Sequence, residues 1–181
     1  MFSMDIKDGF SIREVSDSEL YKVLDEHFER VYRNRSEPQD PLHIEDHAKQ
    51  KIAERKKGEG RYNLRLVVYD GEEAVGWHYG YSTNPETYYM QNSAIIEDYR
   101  NRGLYGDLLK AVFAKLKADG FQVISSIHHP NNAAILIPKL KQGFIISGMQ
   151  VHEKFRLLIE LKYFFDDNRR KSFNRQIGLD L

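Results

Sequence analysis

The chain contains no cysteine among its 181 residues. Disulfide bonds, thiolate metal sites and cysteine nucleophiles are therefore excluded, and nothing indicates an oxidising compartment. The chain also lacks an excess of charge of either sign, because Lys plus Arg and Asp plus Glu number 27 each. A neutral chain has no overall field that attracts nucleic acid or an anionic membrane. We therefore expect no nucleic-acid partner and no membrane partner.

Long apolar runs are absent from the N-terminal region. The first ten residues include Asp5, Lys7 and Asp8, so the sequence predicts neither a signal peptide nor a membrane span. We expect a cytoplasmic protein. The length suits one domain with a substantial core. We expect that domain to span residues 1–181, with a core from about 11 to 165 and a basic C-terminal tail from 166 to 181.

Residues 95–109 carry the clearest functional signal. An apolar strand runs into a turn rich in Arg and Gly, and an amphipathic helix follows. The first amides of a helix have no internal partners and the helix dipole is positive there, so this arrangement suits a pyrophosphate. Gly103 lets a phosphate approach the backbone, and Arg100 and Arg102 add positive charge.

Two common phosphate-binding loops do not fit this segment. A Walker A loop has four residues between its glycines and continues with Lys and Ser or Thr, whereas Gly103 and Gly106 are three apart and precede Asp107. A dinucleotide-binding fingerprint needs a third glycine and normally lies in the first strand-turn-helix unit of its domain. This segment comes past the middle of the chain.

The segment from Arg100 to Tyr105 resembles the acetyl-CoA loop of the GNAT superfamily of N-acetyltransferases, which reads Arg/Gln-x-x-Gly-x-Gly/Ala. Tyr105 departs from that pattern, and a glycine comes only at Gly106. A second segment, residues 131–144, is similar to the family's Asn-x8-Lys-x-Gly-Phe, with matches at Asn132, Lys141, Gly143 and Phe144. On its own this segment also suits a short helix with an Asn N-cap and a Gly stop. The order and spacing of the two motifs together favour the family.

The resemblance implies the fold and the cofactor. The expected fold is α/β (α+β), a mostly antiparallel sheet of six to seven strands with about four helices, whose fourth and fifth strands are parallel and splayed. Acetyl-CoA is the expected cosubstrate, with its pantetheine in the splay and its pyrophosphate on the loop. The residues expected to bind it are Ala94, Ile95, Ile96, Arg100, Asn101, Arg102, Gly103, Leu104, Tyr105, Gly106, Asn131 and Asn132.

The residue pattern gives the same order of elements. Alternation predicts strands at residues 10–15, 62–69, 74–81, 87–96, 121–127, 144–151 and 155–164. Helical spacing predicts helices after Ser16 or Asp17, from about 43 to 57, from 104 and after Asn132. In the strand at 74–81, the pattern puts Val75, Trp77, Tyr79 and Tyr81 on one face. Ala74, Gly76, His78 and Gly80 then lie on the other.

The implied reaction is direct attack of a primary amine on acetyl-CoA in a ternary complex. We expect the acceptor to be a small-molecule or peptide amine, and a homodimer through the last strands is possible. Two alternatives stay open. One is a CoA-binding module without turnover, and the other is an interaction protein that binds no cofactor and uses the loop as a turn.

The catalytic groups are less clear than the cofactor loop. Many GNAT enzymes have a Tyr on the helix after the fifth strand, and the gapless match places Lys139 there. CoA thiolate can leave without an acid, or another group donates the proton. The candidate bases are Glu86, His78 and His128, and a water relay is the alternative.

Metal binding is not expected. His43 and His47 have the i, i+4 spacing that can bind zinc, but no Glu follows His43 directly, so the metalloprotease motif is absent. A solvated helix face explains this pair better.

Overall fold

The computed structural model describes residues 2–32 and 61–178. Within them, eight strands form one sheet in the order β1-β2-β3-β4-β5-β6-β8-β7. The strands are β1 Ser3–Asp5, β2 Phe10–Glu14, β3 Asn63–Asp70, β4 Glu73–Ser82, β5 Thr87–Ile95, β6 Val123–His128, β7 Ile145–His152 and β8 Arg156–Phe164. The α-helices of the described residues are α1 Asp17–Tyr32, α2 Leu104–Ala118, α3 Ala133–Lys141 and α4 Asp167–Gln176.

Neighbouring strands of the sheet are antiparallel except for β5 and β6, which are parallel and joined through α2. The predicted fold class is therefore confirmed. The sheet has one more strand than expected, because Ser3–Asp5 pairs with residues 11–13 of β2. A strand of three residues is too short to show an alternating pattern.

Apolar side chains cover both faces of the sheet. Consecutive residues of β3 show this directly: Leu66 and Val68 pack on the side of α2, and Val67 packs on the side of α1, all three completely buried. The apolar face of α1, from Leu20 to Val31, packs in the same cluster as Val67. Ser16 and Glu19 cap this helix reciprocally, since the Glu19 amide donates to Ser16 Oγ and the Ser16 amide donates to the Glu19 carboxylate.

The predicted faces of β4 are wrong at its start. Val68 pairs with Gly76 and Tyr69 pairs with Ala74, so Val75 is an extra residue, a β-bulge. Val75 consequently packs on the α2 side, whereas Ala74 and Trp77 pack on the α1 side. Alternation in the sequence does not reveal a bulge. The alternating pattern assumes that each residue of one strand lies opposite one residue of the neighbouring strand.

Within the basic C-terminal segment, Asp167–Gln176 form the helix α4. Asp166 caps α4 by accepting a hydrogen bond from the Arg169 amide at 2.7 Å. The Phe173 ring packs against Phe164 of β8 with centroids 5.2 Å apart. The described structure thus extends beyond the expected core at both ends.

One prediction concerns residues that the structure does not describe: the helix at residues 43–57, with His43 and His47, lies outside the described residues.

Among the described helices, none is both long enough and apolar enough to cross a membrane.

Candidate active site

Strands β5 and β6 separate after a short paired stretch. They pair only at Thr87 with Val123, Tyr88 with Ile124 and Tyr89 with Ser125. Gln91 is an extra residue opposite β4, since Tyr79 pairs with Asn92 and Gly80 pairs with Met90, and such a bulge bends its strand. Residues 90–95 of β5 and 126–128 of β6 therefore form an open fork. This confirms the predicted splay.

The side chain of Lys139 enters this fork from α3. Its Nζ lies 3.1 Å from Nε2 of His128 on β6 and 3.5 Å from Sδ of Met90 on β5. It also lies 5.1 Å from the centre of the Phe144 ring. Lys139 is 1 % exposed. Nζ therefore sits between the two strands where they diverge.

The charge of Lys139 has no anionic partner within residues 2–32 and 61–178, where no carboxylate oxygen lies within 4.0 Å of Nζ. Burial in these surroundings lowers the pKa of Lys139 from 10.5 to about 7. The amine is thus close to half protonated at neutral pH. A buried lysine without a carboxylate is unusual enough to indicate a functional site.

His128 is the polar partner of Lys139. Its Nε2 lies 3.1 Å from both Ser126 Oγ and Lys139 Nζ. Burial, and then the charge of Lys139, lowers the pKa of His128 to about 3. The ring is therefore neutral at physiological pH, and Nε2 accepts a hydrogen bond from the Lys139 ammonium. So weak a base has little driving force to take a proton from an amine.

His78 is completely buried on β4. Its Nδ1 lies 2.8 Å from Ser93 Oγ and its Nε2 lies 2.9 Å from Tyr88 Oη, so hydroxyls satisfy both ring nitrogens in either tautomer. Burial first, and then the charge of Lys139, lowers the pKa of His78 to about 3. Its hydrogen bonds thus hold β4 and β5 together beside the fork.

Glu86 lies away from these two histidines. It precedes β5 at the end where β5 and β6 are paired, and its carboxylate accepts a hydrogen bond from Arg169 of α4 at 2.9 Å. Its side chain is 59 % exposed. The structure therefore places His128 in contact with Lys139 and His78 within reach of the Lys139 charge, and it leaves Glu86 apart.

The predicted cofactor loop follows β5 after one short 3₁₀ turn, Glu97–Tyr99. Asn101 and Gly103 have positive φ values of 61° and 79°, and α2 begins at the next residue. The first helical bonds run from the Gly106 and Asp107 amides to the Gly103 carbonyl, at 3.0 and 3.2 Å. The amides of Leu104 and Tyr105 thus lie ahead of the helical ladder, as an anion site requires.

The loop arginines also have a structural contact each. Arg100 Nε donates to the Ile95 carbonyl at 3.1 Å, and Arg102 Nη2 donates to the Asp98 carbonyl at 3.1 Å. Both side chains belong to exposed residues. Each guanidinium has further donors, so holding the loop and adding positive charge are compatible roles.

One cation at this loop was not predicted from the sequence. Lys7, between β1 and β2, has its Nζ 3.7 Å from Oδ2 of Asp107. The same Nζ lies 2.5 Å from where a Cβ on Gly103 would stand. Residues 7 and 103 lie far apart in the chain, so no local sequence pattern could indicate this contact.

Some backbone groups at the edge of the fork already have hydrogen-bond partners. The Ile96 amide donates to the Val75 carbonyl at 2.9 Å, so this amide is already paired with β4. The side chains of Ala94, Ile95 and Ile96 are buried in the core, as expected for a strand whose backbone faces a ligand.

The second predicted motif starts α3. Asn132 occupies the predicted N-cap position, although its side chain makes no capping hydrogen bond. Asn131 and Asn132 are both exposed at the start of the helix. Their amide side chains thus remain directed to solvent at the edge of the fork's second strand.

An asparagine on β5 forms a contact that sequence reasoning missed. Asn92 Oδ1 accepts hydrogen bonds from Trp77 Nε1 at 2.7 Å and from Tyr32 Oη at 3.0 Å. The end of α1 is thereby tied to β5 within the fork region. Tyr105 is also half-buried, and burial followed by the nearby Tyr32 hydroxyl raises the pKa of its phenol well above the ordinary value.

Comparison with known proteins agrees with this geometry. A profile described as the acetyltransferase (GNAT) family matches residues 19–144, which include the loop, the fork and Lys139. The chain belongs to the GNAT family. No curated protein sequence matches this GNAT chain significantly.

Solved structures show the same fold at low sequence identity. A GNAT family acetyltransferase from Elizabethkingia anophelis with acetyl-CoA bound has a TM-score of 0.60 and 19 % identity, over 88 % of this chain and 100 % of that one. The ribosomal-protein-S5-alanine acetyltransferase from Vibrio fischeri has a TM-score of 0.66 and 13 % identity, over 92 % and 98 %.

A third similar structure comes from Salmonella typhimurium and is described as the acetyltransferase that modifies the N-terminal serine of ribosomal protein L7/L12. It has a TM-score of 0.65 and 11 % identity, over 91 % of this GNAT chain and 100 % of that chain. All three likenesses are below 25 % identity and concern the fold.

Proposed function

We propose that this GNAT protein is an acetyl-CoA-dependent N-acetyltransferase that moves the acetyl group to a primary amine by direct attack in a ternary complex. One observation carries the proposal: the open edge of β5 leads, through one short 3₁₀ turn, into a helix start with free amides and a left-handed Gly103. A strand edge that can pair with pantetheine and an anion site for pyrophosphate thus follow each other along one segment.

The residues present fit the cofactor. The pyrophosphate would contact the loop from Arg100 to Gly106, with the charge of Lys7 nearby. The pantetheine amides would pair with backbone groups of residues 94–96 other than the engaged Ile96 amide. The side-chain amides of Asn131 and Asn132 would reach it from the start of α3. Acetyl-CoA supplies the activated thioester, and the residues of this chain hold it in place.

Deprotonation of the acceptor is best assigned to water. An alkyl amine has a pKa near 10 and must lose a proton before it attacks. With pKa values of about 3, His78 and His128 are poor bases, and Glu86 lies outside the fork. A water relay to solvent can serve because holding the two substrates in line supplies much of the rate.

The acceptor in this proposal is an amine of a peptide or protein. Support comes from the described activities of the Vibrio and Salmonella proteins, whose fold this chain shares over more than nine-tenths of its length. A small-molecule amine is the alternative, and a peptide panel and a polyamine panel distinguish the two.

The test begins with calorimetric titration of CoA and acetyl-CoA, on the wild type and on two matched variants. Gly103→Asp places a negative charge at the loop, and Gly120→Asp places one at the other end of α2. Both glycines have positive φ, 79° and 84°, so backbone strain is similar. We expect micromolar binding by the wild type and by Gly120→Asp, and at least tenfold weaker binding by Gly103→Asp.

Turnover is then measured as release of CoA thiol with the amine panels. Binding together with turnover supports an enzyme. Binding without turnover on any amine supports the CoA-binding module instead, and absence of binding by the wild type refutes the cofactor site.

We further propose a single domain over residues 1–181 and a homodimer through the last strands. β7 is an edge strand of the sheet, and its Met149 and Val151 are 73 % and 85 % exposed. Paired edges would cover these side chains. Analytical ultracentrifugation of the wild type and of Val151→Lys tests the dimer, since a charge at a covered edge should produce monomers.

A further inference from the structure

We propose that Lys139 is the catalytic acid that protonates the CoA thiolate as it leaves. This inference rests on the proposed function, because it requires acetyl-CoA in the fork. It concerns a lysine at the position where the resemblance places a tyrosine in many relatives, and its basis is the environment of Nζ in this chain.

The position of Nζ is the first argument. α3 lies over the divergence of β5 and β6 and directs the Lys139 side chain inward, between Met90 on one strand and His128 on the other. A thioester bound along the open edge of β5 would bring its sulfur toward this same gap. No other lysine or arginine side chain among residues 2–32 and 61–178 is buried.

The missing counter-ion is the second argument. Every group that faces Nζ is neutral at pH 7: the His128 ring, the Met90 thioether, the Phe144 ring and, farther off, the His78 ring bonded to Tyr88. A buried ammonium without an anion is unfavourable. The thiolate that forms when the thioester breaks is a negative charge delivered to this place. The charge pair is absent while the neutral thioester is bound and forms as the carbon–sulfur bond breaks, and this favours the transition state over the bound substrate.

Proton affinity is the third argument. With a pKa of about 7, the Lys139 ammonium is a stronger acid than an ordinary thiol, whose pKa is about 8.5. Before their mutual attraction is counted, transfer to the thiolate is therefore downhill by roughly 1.5 pKa units, and the attraction between ammonium and thiolate offsets part of this difference. A tyrosine with a pKa of about 10 would transfer its proton uphill by a similar amount.

The step balances without any further reactant. The amine nitrogen bonds to the thioester carbon, the carbon–sulfur bond breaks, and its electron pair stays on sulfur. The proton on Nζ moves to sulfur and gives CoA thiol. The proton displaced from the amine passes to water, and water returns one to Lys139. His128 acts as a positioning residue, because its Nε2 holds the side-chain amine of Lys139 through a hydrogen bond.

The decisive measurement needs no acceptor. Thiolate ultraviolet absorbance of bound CoA is followed against pH in the wild type, in Lys139→Met and in Lys117→Met, an exposed lysine on α2. An ammonium beside sulfur stabilises the thiolate, so the bound thiol should titrate at least one pH unit lower in the wild type than in Lys139→Met. Lys117→Met should match the wild type. Equal titration in all three proteins overturns the proposal.

Turnover provides the second measurement. Lys139→Met should lower kcat at least a hundredfold while the Kd for CoA changes less than threefold. Lys139→Tyr should recover part of kcat and move the decline of kcat at high pH upward, because a phenol keeps its proton to higher pH. A Lys139→Met enzyme with wild-type kcat overturns the proposal, as does an acetyl group found on Lys139 after incubation with acetyl-CoA.

The outcomes separate this inference from the proposed function. If the wild type does not bind CoA, both are refuted. If it binds CoA but acetylates no amine, the enzymatic function fails and the thiol titration alone decides whether Lys139 faces the sulfur.

Discussion

Replacing Lys139 by Met should stabilise the protein, and the gain should shrink as the pH rises. Met has a similar length and apolar character, and the site already contains Met90 and Phe144. The substitution therefore removes a buried amine without leaving a large cavity. The variant should unfold at higher urea concentration than the wild type at pH 7.

The magnitude follows from the two protonation equilibria. The pKa of Lys139 is about 7 in the folded chain and 10.5 by reference to an unperturbed lysine. Between these values the unfolded chain binds the proton and the folded chain does not, so stability rises with pH. Below pH 7 both states bind the proton and the penalty is constant. At about 1.36 kcal/mol for each pKa unit, the penalty is about 4 kcal/mol at pH 7 and about 2 kcal/mol at pH 9.

Urea unfolding at pH 7 and pH 9 is the assay, and the difference between variants is the observable. The gap in unfolding free energy between Lys139→Met and the wild type should narrow by about 2 kcal/mol over this range. Contributions that do not depend on pH, such as the lost hydrogen bond to His128, cancel in this comparison. Histidine titration also cancels, because His78 and His128 are neutral at both pH 7 and pH 9.

Lys117→Met is the control, since Lys117 is exposed on α2, and the difference in unfolding free energy between this variant and the wild type should be the same at pH 7 and pH 9. If the gap for Lys139→Met also stays constant, Nζ reaches water or an anion in solution. The buried, unpaired amine would then be refuted, and with it the electrostatic part of the catalytic argument.

Three other substitutions test the remaining structure. Asn92→Ala leaves the buried Trp77 Nε1 without its acceptor and should reduce the unfolding free energy in urea by about 1–3 kcal/mol. Gly80→Ala should cost about 1–3 kcal/mol in the same assay, because its Cβ would stand 2.5 Å from Tyr88 Oη, and a normal stability would contradict this close approach. Lys7→Met should raise the calorimetric Kd for CoA about fivefold at low salt and less at high salt, and no change would remove Lys7 from the phosphate site.

Local patterns in the sequence predicted most of the fold. Periodicity indicated the strands from β2 onward and helices α1, α2 and α3, because each presents a clear apolar face. The arrangement of the strands in the sheet, with one parallel and splayed pair, was predicted from the motif resemblance. β1 is too short for a pattern, and α4 is mostly polar with no buried residue, so neither shows the apolar periodicity on which prediction rests.

The two bulges set the limit of sequence reasoning about the site. Val75 and Gln91 each add one residue to a strand, and each changes which side chains share a face from that point on. Both depend on pairing with a neighbouring strand. The sequence could therefore predict that a fork exists, but not which side chains line it.

Residue type misled the reading of individual side chains in a similar way. A lysine on a short helix is normally solvated, so Lys139 appeared as a missing tyrosine rather than as a buried amine. His78 and His128 appeared as bases, whereas burial makes them neutral partners of hydroxyls and of Lys139. Exposure decides these roles, and exposure depends on contacts distant in sequence.

The loss of stability caused by burying Lys139 argues for a ligand in the fork. A Met at this position would fit the apolar surroundings and remove about 4 kcal/mol of destabilisation at pH 7, so packing alone does not explain a lysine. A ligand that supplies negative charge beside Nζ would raise the pKa of Lys139 and recover part of that energy. At a fixed CoA concentration, and at a pH high enough for the bound thiol to ionise, CoA should therefore stabilise the wild type more than Lys139→Met. Equal stabilisation of the two proteins under these conditions would mean that the bound sulfur stays away from the amine.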